Sequence, residues 1–204
     1  VVLVGDNPAS LSYVKGKDKA CHEVGFGSKM ITMKQETTED ELRAVIEELN
    51  QDESVDGILV QMPLPEQLDE NRVIMMIDPD KDVDGLHPVN VGNLYLGMEG
   101  FVPCTPLGIM EMIKEANVSF EGKKAVVIGR SKLVGTPVAR LLTNKNCTVT
   151  ICHSHTKDIE KVCAEADMFK AEGLYVLTDA AKAEYIGTDG TEVGIYGGNM
   201  PYDV

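Results

Sequence analysis

Short apolar runs alternate with amphipathic stretches along this chain, the pattern of βα units stacked into a parallel sheet. Val1-Val2-Leu3-Val4-Gly5 reads as a strand. Asn7-Pro8 follows as a helix cap with proline at the first helical position, and the spacing predicts a helix reaching Glu23. Residues 28–33 read as the next strand. Thr38-Glu39-Asp40-Glu41 has the form of a capping box, after which Leu42, Val45, Ile46 and Leu49 fall on one helical stripe. A third strand is expected over 57–62, ending at Pro63-Leu64-Pro65, and a third helix between Asp69 and Ile77.

Residues 78–103 are dense in Asp, Gly, Asn and Pro and predict long loops around little regular structure, the kind of segment that carries function. A helix is expected from Thr105-Pro106 to about Ala116. A second βαβ unit follows, with a strand at 124–129, a helix at 134–142 and a strand at 147–152. The predicted fold class is α/β with two α/β lobes: an amino-terminal parallel-sheet lobe over 1–104 and an incomplete Rossmann-like lobe over 105–170. Residues 171–204 read as a divergent tail. They hold one more strand candidate at 173–178 and a β-hairpin whose two strands flank the two-residue turn signal Asp189-Gly190.

Composition narrows the function classes. With 204 residues, 43% of them hydrophobic, the chain can bury a substantial core. No apolar run approaches the roughly 20 residues of a membrane-spanning helix, so a soluble protein is expected. The net charge of −14 disfavours binding to phosphate backbones, although a local cluster such as Lys15, Lys17 and Lys19 can still receive a small anion. The five cysteines, Cys21, Cys104, Cys147, Cys152 and Cys163, are odd in number and lack CxxC spacing. They argue against a disulfide framework or a zinc knuckle and for a reducing, cytoplasmic setting. The opening strand has no Met and no leader before it, which predicts that an amino-terminal segment is missing.

Several residues have the chemistry of a site. Tyr13 and Lys17 stand four apart on a predicted helix and share one face at the carboxyl side of the first strand, where open α/β sheets place ligands. The plain alternative is an ordinary solvated helix surface. Gln61 is a polar amide at the end of an apolar strand. Asp78, Asp80, Asp82 and Asp84 pack four acids into seven residues, and Asp80-x-Asp82-x-Asp84-Gly85 imitates the start of a calcium loop. Val91 stands where that loop needs its bidentate Glu, so no metal is expected. Gly129-Arg130-Ser131-Lys132-Leu133-Val134-Gly135 runs from an apolar strand into a helix, the context of a phosphate-binding turn, with Ser131 in place of the second glycine. The next strand ends at Cys152-His153-Ser154-His155 without an acid for a ribose hydroxyl. Arg130 and Ser154 offer a cation and a hydroxyl to a 2′-phosphate instead. His153 and His155 lack a third ligand and read as a surface pair.

Five segments occur together in one order and spacing. They are Val4-Gly5-Asp6-Asn7-Pro8-Ala9-Ser10 leading to Tyr13 and Lys17, Gly57-Ile58-Leu59-Val60-Gln61-Met62-Pro63-Leu64-Pro65, Pro79-Asp80-Lys81-Asp82-Val83-Asp84-Gly85, Pro103-Cys104-Thr105-Pro106, and Gly129-Arg130-Ser131 with Val134, Gly135 and Pro137. In these the chain resembles the bifunctional methylenetetrahydrofolate dehydrogenase/methenyltetrahydrofolate cyclohydrolases, over residues 1 to about 168. The resemblance implies a folate-binding catalytic lobe and a Rossmann-like NAD(P) lobe, with folate in the cleft between them. It implies Lys17 as the catalytic lysine, Gln61 as its assistant, Tyr13 packed on the folate rings and Asp84 holding the pterin. Gly129, Arg130, Ser131, Gly135 and Ser154 are the expected cofactor residues, with NADP favoured over NAD.

The expected activity is oxidation of 5,10-methylenetetrahydrofolate to 5,10-methenyltetrahydrofolate and hydrolysis to 10-formyltetrahydrofolate, by a homodimer that takes tetrahydrofolate derivatives and neither nucleic acid nor membrane. Past residue 168 the family's further Rossmann strands, its Pro-Val-Pro-Gly-Gly-Val-Gly-Pro loop and its final helix find no match. One alternative stays open, a truncated folate- or partner-binding relative whose cofactor lobe does not work; a dehydrogenase of another substrate class is disfavoured, because it leaves Tyr13, Lys17, Gln61 and Asp84 without a joint purpose.

Overall fold

β1 (Val2–Val4) is buried at every position, as expected of a strand inside a parallel sheet. In the computed structural model of this chain, residues 1–166 are described, together with the backbone of short strands at Val176–Leu177, Lys182–Ile186 and Glu192–Tyr196. The chain separates into two compact units, Val1–Asn90 and Val91–Val204.

In the first unit β1 leads to α1 (Pro8–Glu23), which starts where the Asn7 side chain accepts from the backbone N–H groups of Ala9 and Ser10 at 2.9 and 3.2 Å. Only Ser10 and Val14 of this helix are buried, so most of its length is free to present side chains. β2 (Ile31–Met33) lies parallel to β1, with Leu3 opposite Thr32. α2 (Glu39–Gln51) begins with the expected capping box, in which Thr38 and Glu41 satisfy each other's backbone. It buries Leu42, Ile46 and Leu49. These join Val2, Val4, Ile58, Val60, Leu68, Val73 and Ile77 in one core. Each such side chain contributes about 1.5–3 kcal/mol on burial.

The expected third strand is present only as two isolated bridges, Val2 with Val60 and Ile58 with Asp82. The backbone runs parallel beside β1, where Val2 donates to the Leu59 carbonyl at 2.7 Å and Gln61 donates to the Val2 carbonyl at 2.9 Å. On its other side a single bond, from Ile58 to the Lys81 carbonyl, replaces a ladder. The third helix is shorter than expected, α3 (Glu70–Ile74).

The segment read as loops over 78–103 contains a helix, α4 (Pro88–Leu96), and is corrected accordingly. Pro88 opens it, and buried Asn90 ties it back by tertiary hydrogen bonds that no local pattern reveals.

In the second unit α5 (Cys104–Glu115) precedes β3 (Lys124–Ile128), α6 (Gly135–Asn144), β4 (Thr148–Cys152) and α7 (Ile159–Ala164). Ile109, Met110, Ile113, Ala125, Val127, Val138, Ala139, Leu142 and Cys147 form its core. β5 (Val176–Leu177) pairs parallel with β3 on the side away from β4, giving the order β4-β3-β5. The fold is thus α/β with parallel sheets, as the pattern predicts. β6 (Lys182–Ile186) and β7 (Glu192–Tyr196) pair antiparallel. A two-residue turn at Asp189-Gly190 would set Ile186 opposite Val193, whereas its partner is Glu192. The turn itself lies outside the described residues.

Candidate functional site

The first cluster is built on α1, on the segment that runs beside β1 and on the 78–84 loop bonded to that segment's other side. Tyr13 and Lys17 sit one turn apart on α1, and with Ser12, Gly16 and Ala20 they line an open cavity of about 370 Å³. The Lys17 ammonium donates to Gln61 Oε1 at 3.1 Å. Gln61 Nε2 donates to the Met62 carbonyl at 2.7 Å, which fixes the amide so that its oxygen faces the lysine. The peptide bond between Met62 and Pro63 is cis.

The four acids of the 78–84 loop separate by what holds them. Asp78 Oδ1 accepts from the Asp80 N–H at 3.0 Å, and Asp80 is exposed. Asp82, 1% exposed, accepts from the His87 N–H at 2.8 Å and from Asn90 Nδ2 at 3.0 Å. The Asp84 carboxyl is half-buried and meets no hydrogen-bond donor among the described residues. Burial pushes its pKa above the ordinary carboxylate value; the nearby Lys17 ammonium pulls it down and the Asp82 charge adds to the rise. Asp84 is therefore an available acceptor beside a lysine, while Asp82 is held by the His87 N–H and the Asn90 amide.

Lys81 anchors the same loop to α2. Its ammonium donates to the carbonyls of Leu49, Asn50 and Asp52 at 3.1, 2.8 and 2.8 Å, capping a helix whose last turn has no basic residue of its own. Val83 lies over Gly57, and a Cβ there would collide with Val83 Cγ1. Sequence reasoning gave Lys81 and Asp82 no role beyond their place in the acidic segment and did not single out Asn90. The only trace they leave in the sequence is their place next to Asp84, because their partners are 5 to 32 residues away.

The second cluster lies at the carboxyl end of β3. That strand is central, and the strands that follow it in the chain lie on opposite sides, so the turn leaving it stands at a topological switch point. Gly129 has φ +119° and donates to the Cys152 carbonyl at 2.7 Å. A Cβ on Gly135 would come within 2.6 Å of the Gly129 carbonyl oxygen and 2.9 Å of the Arg130 nitrogen, so α6 can start this close to the turn only from a glycine. Ser131 Oγ accepts from the N–H groups of Val134 and Gly135 at 3.1 and 3.3 Å and caps α6 itself. Arg130 and Ser154 are exposed, and each stands two residues beyond the paired positions Ile128 and Cys152, at the same sheet edge. His153 and His155 meet edge to face with ring centroids 6.0 Å apart.

The structure therefore brings Tyr13, Lys17, Gln61 and Asp84 together within the first unit, and Gly129, Arg130, Ser131, Gly135 and Ser154 within the second. Two family descriptions match the same division: tetrahydrofolate dehydrogenase/cyclohydrolase, catalytic domain, over residues 1–84, and tetrahydrofolate dehydrogenase/cyclohydrolase, NAD(P)-binding domain, over residues 103–183. The crystal structure of the bifunctional enzyme FolD, methylenetetrahydrofolate dehydrogenase/cyclohydrolase, from Campylobacter jejuni aligns with a TM-score of 0.83 at 42% identity, covering 95% of this chain and 73% of that one. The chain belongs to the tetrahydrofolate dehydrogenase/cyclohydrolase family.

Among curated members of the family, the bifunctional protein FolD of Listeria innocua serovar 6a is 55% identical over 189 residues, which are 91% of this chain and 65% of that protein. The chain thus spans just under two thirds of that relative's length. The Trypanosoma brucei methylenetetrahydrofolate dehydrogenase-cyclohydrolase, solved in complex with NADP cofactor and an inhibitor, aligns with a TM-score of 0.80 at 34% identity over 88% of this chain and 60% of that one. The likeness to the family's second domain reaches residue 183, past residue 168 where the sequence motifs end. Neither description covers 85–102, the segment that holds His87 and Asn90.

Proposed function

We propose that this chain carries the folate and NADP sites of a bifunctional methylenetetrahydrofolate dehydrogenase/methenyltetrahydrofolate cyclohydrolase. The observation behind this reading is the Lys17–Gln61 pair beside an unspent, half-buried Asp84, in the segment that matches the family's catalytic domain. The Asp84 carboxylate receives the hydrogen-bond donors of the pterin edge, and Tyr13 packs on the ring system. Gln61 holds the Lys17 amine in one orientation.

The residues of the second cluster fit a dinucleotide. Gly129 and Gly135 keep the turn low enough for a pyrophosphate to approach, Ser131 stiffens it, and Arg130 and Ser154 offer contacts to a 2′-phosphate. Bound there, NADP supplies a hydride acceptor for the methylene bridge. In the hydrolytic reaction water adds to the methenyl carbon, the bond from that carbon to one ring nitrogen breaks, and the nitrogen takes up a proton. Lys17 is the group that moves protons between water and that nitrogen.

Among the described residues no helix is long and apolar enough to cross a membrane. A cytoplasmic location belongs to the same proposal and is supported by five unpaired cysteines. A homodimer belongs to it too, supported by the exposed apolar side chains of Tyr95, Leu96 and Met98. Titration with NADP and with 5-formyltetrahydrofolate by calorimetry tests the central claim, and both are expected to bind. Folate binding without NADP binding would favour the non-catalytic relative, and binding of neither would refute the reading.

A further inference from the structure

We infer that Asn90 is a positioning residue for folate binding, because its amide closes the loop that presents Asp84. The inference rests on the proposed role of Asp84. Asn90 is 3% exposed and lies in the first turn of α4. Its Nδ2 donates both to the Pro79 carbonyl at 2.9 Å and to Asp82 Oδ2 at 3.0 Å. One amide thus ties the entrance of the loop to the residue two before Asp84. Asp82 accepts in addition from the His87 N–H, and Gly85, with φ +65°, donates to the Asp82 carbonyl at 3.1 Å. Asp84 stands between two positions fastened in this way, so its carboxyl is aimed by the frame and not by partners of its own.

The frame also sets the electrostatics. The charged groups acting on Asp84 are Lys17 from α1, which favours its ionised form, and Asp82 from its own loop, which opposes it. Asn90 and the His87 N–H both donate to the Oδ2 of buried Asp82 and hold its carboxyl in place. Removing Asn90 unties the Pro79 carbonyl from Asp82 and loosens the aim of Asp84. Replacing the Asp82 charge by an amide removes the repulsion it exerts on Asp84, whose titration then moves to lower pH.

The test is calorimetric binding of 5-formyltetrahydrofolate to the full chain across pH, with NADP as control ligand. For Asn90→Ser the expected result is folate affinity weaker by about tenfold, the loss of one well-aimed charge-assisted contact, with NADP affinity unchanged. Asp82→Asn keeps an acceptor for Asn90 and removes the charge, so it should move the pH inflection of folate binding downward with little loss of affinity at high pH. It serves as the test should Asn90→Ser fail to fold. A merely structural Asn90 would lower Tm and leave the folate affinity of the folded protein in place, and that result overturns the inference. Asp84→Asn separates the layers. If it leaves folate affinity and its pH dependence intact, the proposed site itself is refuted; if it abolishes both while the Asn90 and Asp82 variants behave as wild type, only the positioning role falls.

Discussion

Lys17→Met removes the ammonium and keeps an unbranched stem of similar bulk. The lysine's hydrogen bond to Gln61 Oε1 is 3.1 Å long and only partly buried, so its loss costs about 0.5–1.5 kcal/mol. Gln61 stays oriented through its bond to the Met62 carbonyl. For a chain of this size that cost lowers Tm by roughly 2–4 °C per kcal/mol, too little to unfold the protein at assay temperature. Removing a general acid–base group, in contrast, slows the reaction about 10²–10⁴-fold, or roughly 2.7–5.4 kcal/mol of barrier. The two magnitudes differ enough to separate a role in chemistry from a role in folding. Hydrolysis of methenyltetrahydrofolate, followed by loss of its absorbance, should fall by at least about a hundredfold. Dehydrogenase activity should fall with it, while thermal denaturation shifts by a few degrees. The same variant removes the cation that pulls the Asp84 pKa down, leaving burial and the Asp82 charge both acting upward. Folate binding, which needs ionised Asp84, should then weaken at a higher pH than in the wild type. Cyclohydrolase turnover within a few-fold of wild type would show that Lys17 is not the proton carrier.

Asp84→Ala should weaken folate binding by about 1.5–3 kcal/mol and leave NADP affinity nearly unchanged, as read by calorimetry; equal weakening of both ligands would make the loop a support for the fold. Because the pKa of Asp84 is raised in the folded state, its contribution to stability is present below its unfolded pKa and is lost as pH rises through the folded one. Asp84→Asn should therefore melt higher than wild type at neutral pH and lose that advantage in acid, and a difference in Tm independent of pH would contradict the linkage. Gly135→Ala drives a Cβ into the Gly129 carbonyl and the Arg130 nitrogen, a backbone collision expected to cost about 1–3 kcal/mol in denaturant unfolding and to weaken NADP binding. Arg130→Ala should erase most of a tenfold to hundredfold preference for NADP over NAD while NAD binding changes little; an equal loss for both would assign Arg130 to the pyrophosphate or to the turn itself.

Much of this protein is legible in the chain because the interactions concerned are local. Asn7-Pro8 starts α1 and the Thr38–Glu41 box starts α2, since cap and capped N–H groups lie within three residues of each other. The stripe of Leu42, Ile46 and Leu49 is buried for the same reason: helical spacing alone puts these residues on one face. Gly129 and Gly135 are readable as a turn against a helix because a short loop allows few other backbones. Where partners are distant in sequence, the pattern is silent. The stretch around Ile58 and Val60 is apolar enough for a strand, yet its pairing is limited to bridges by what lies beside it: β1 on one side and the Lys81 region on the other. α4 looked like loop because Asn90 and Gly92 are poor helix formers, and what holds its first turn is the reach of Asn90 to Pro79 and Asp82. The four acids at 78, 80, 82 and 84 are chemically alike in sequence. Only the tertiary structure decides that Asp82 is consumed by His87 and Asn90 while Asp84 is left beside Lys17, because burial and hydrogen-bond supply, not residue type, determine which carboxylate is free to bind.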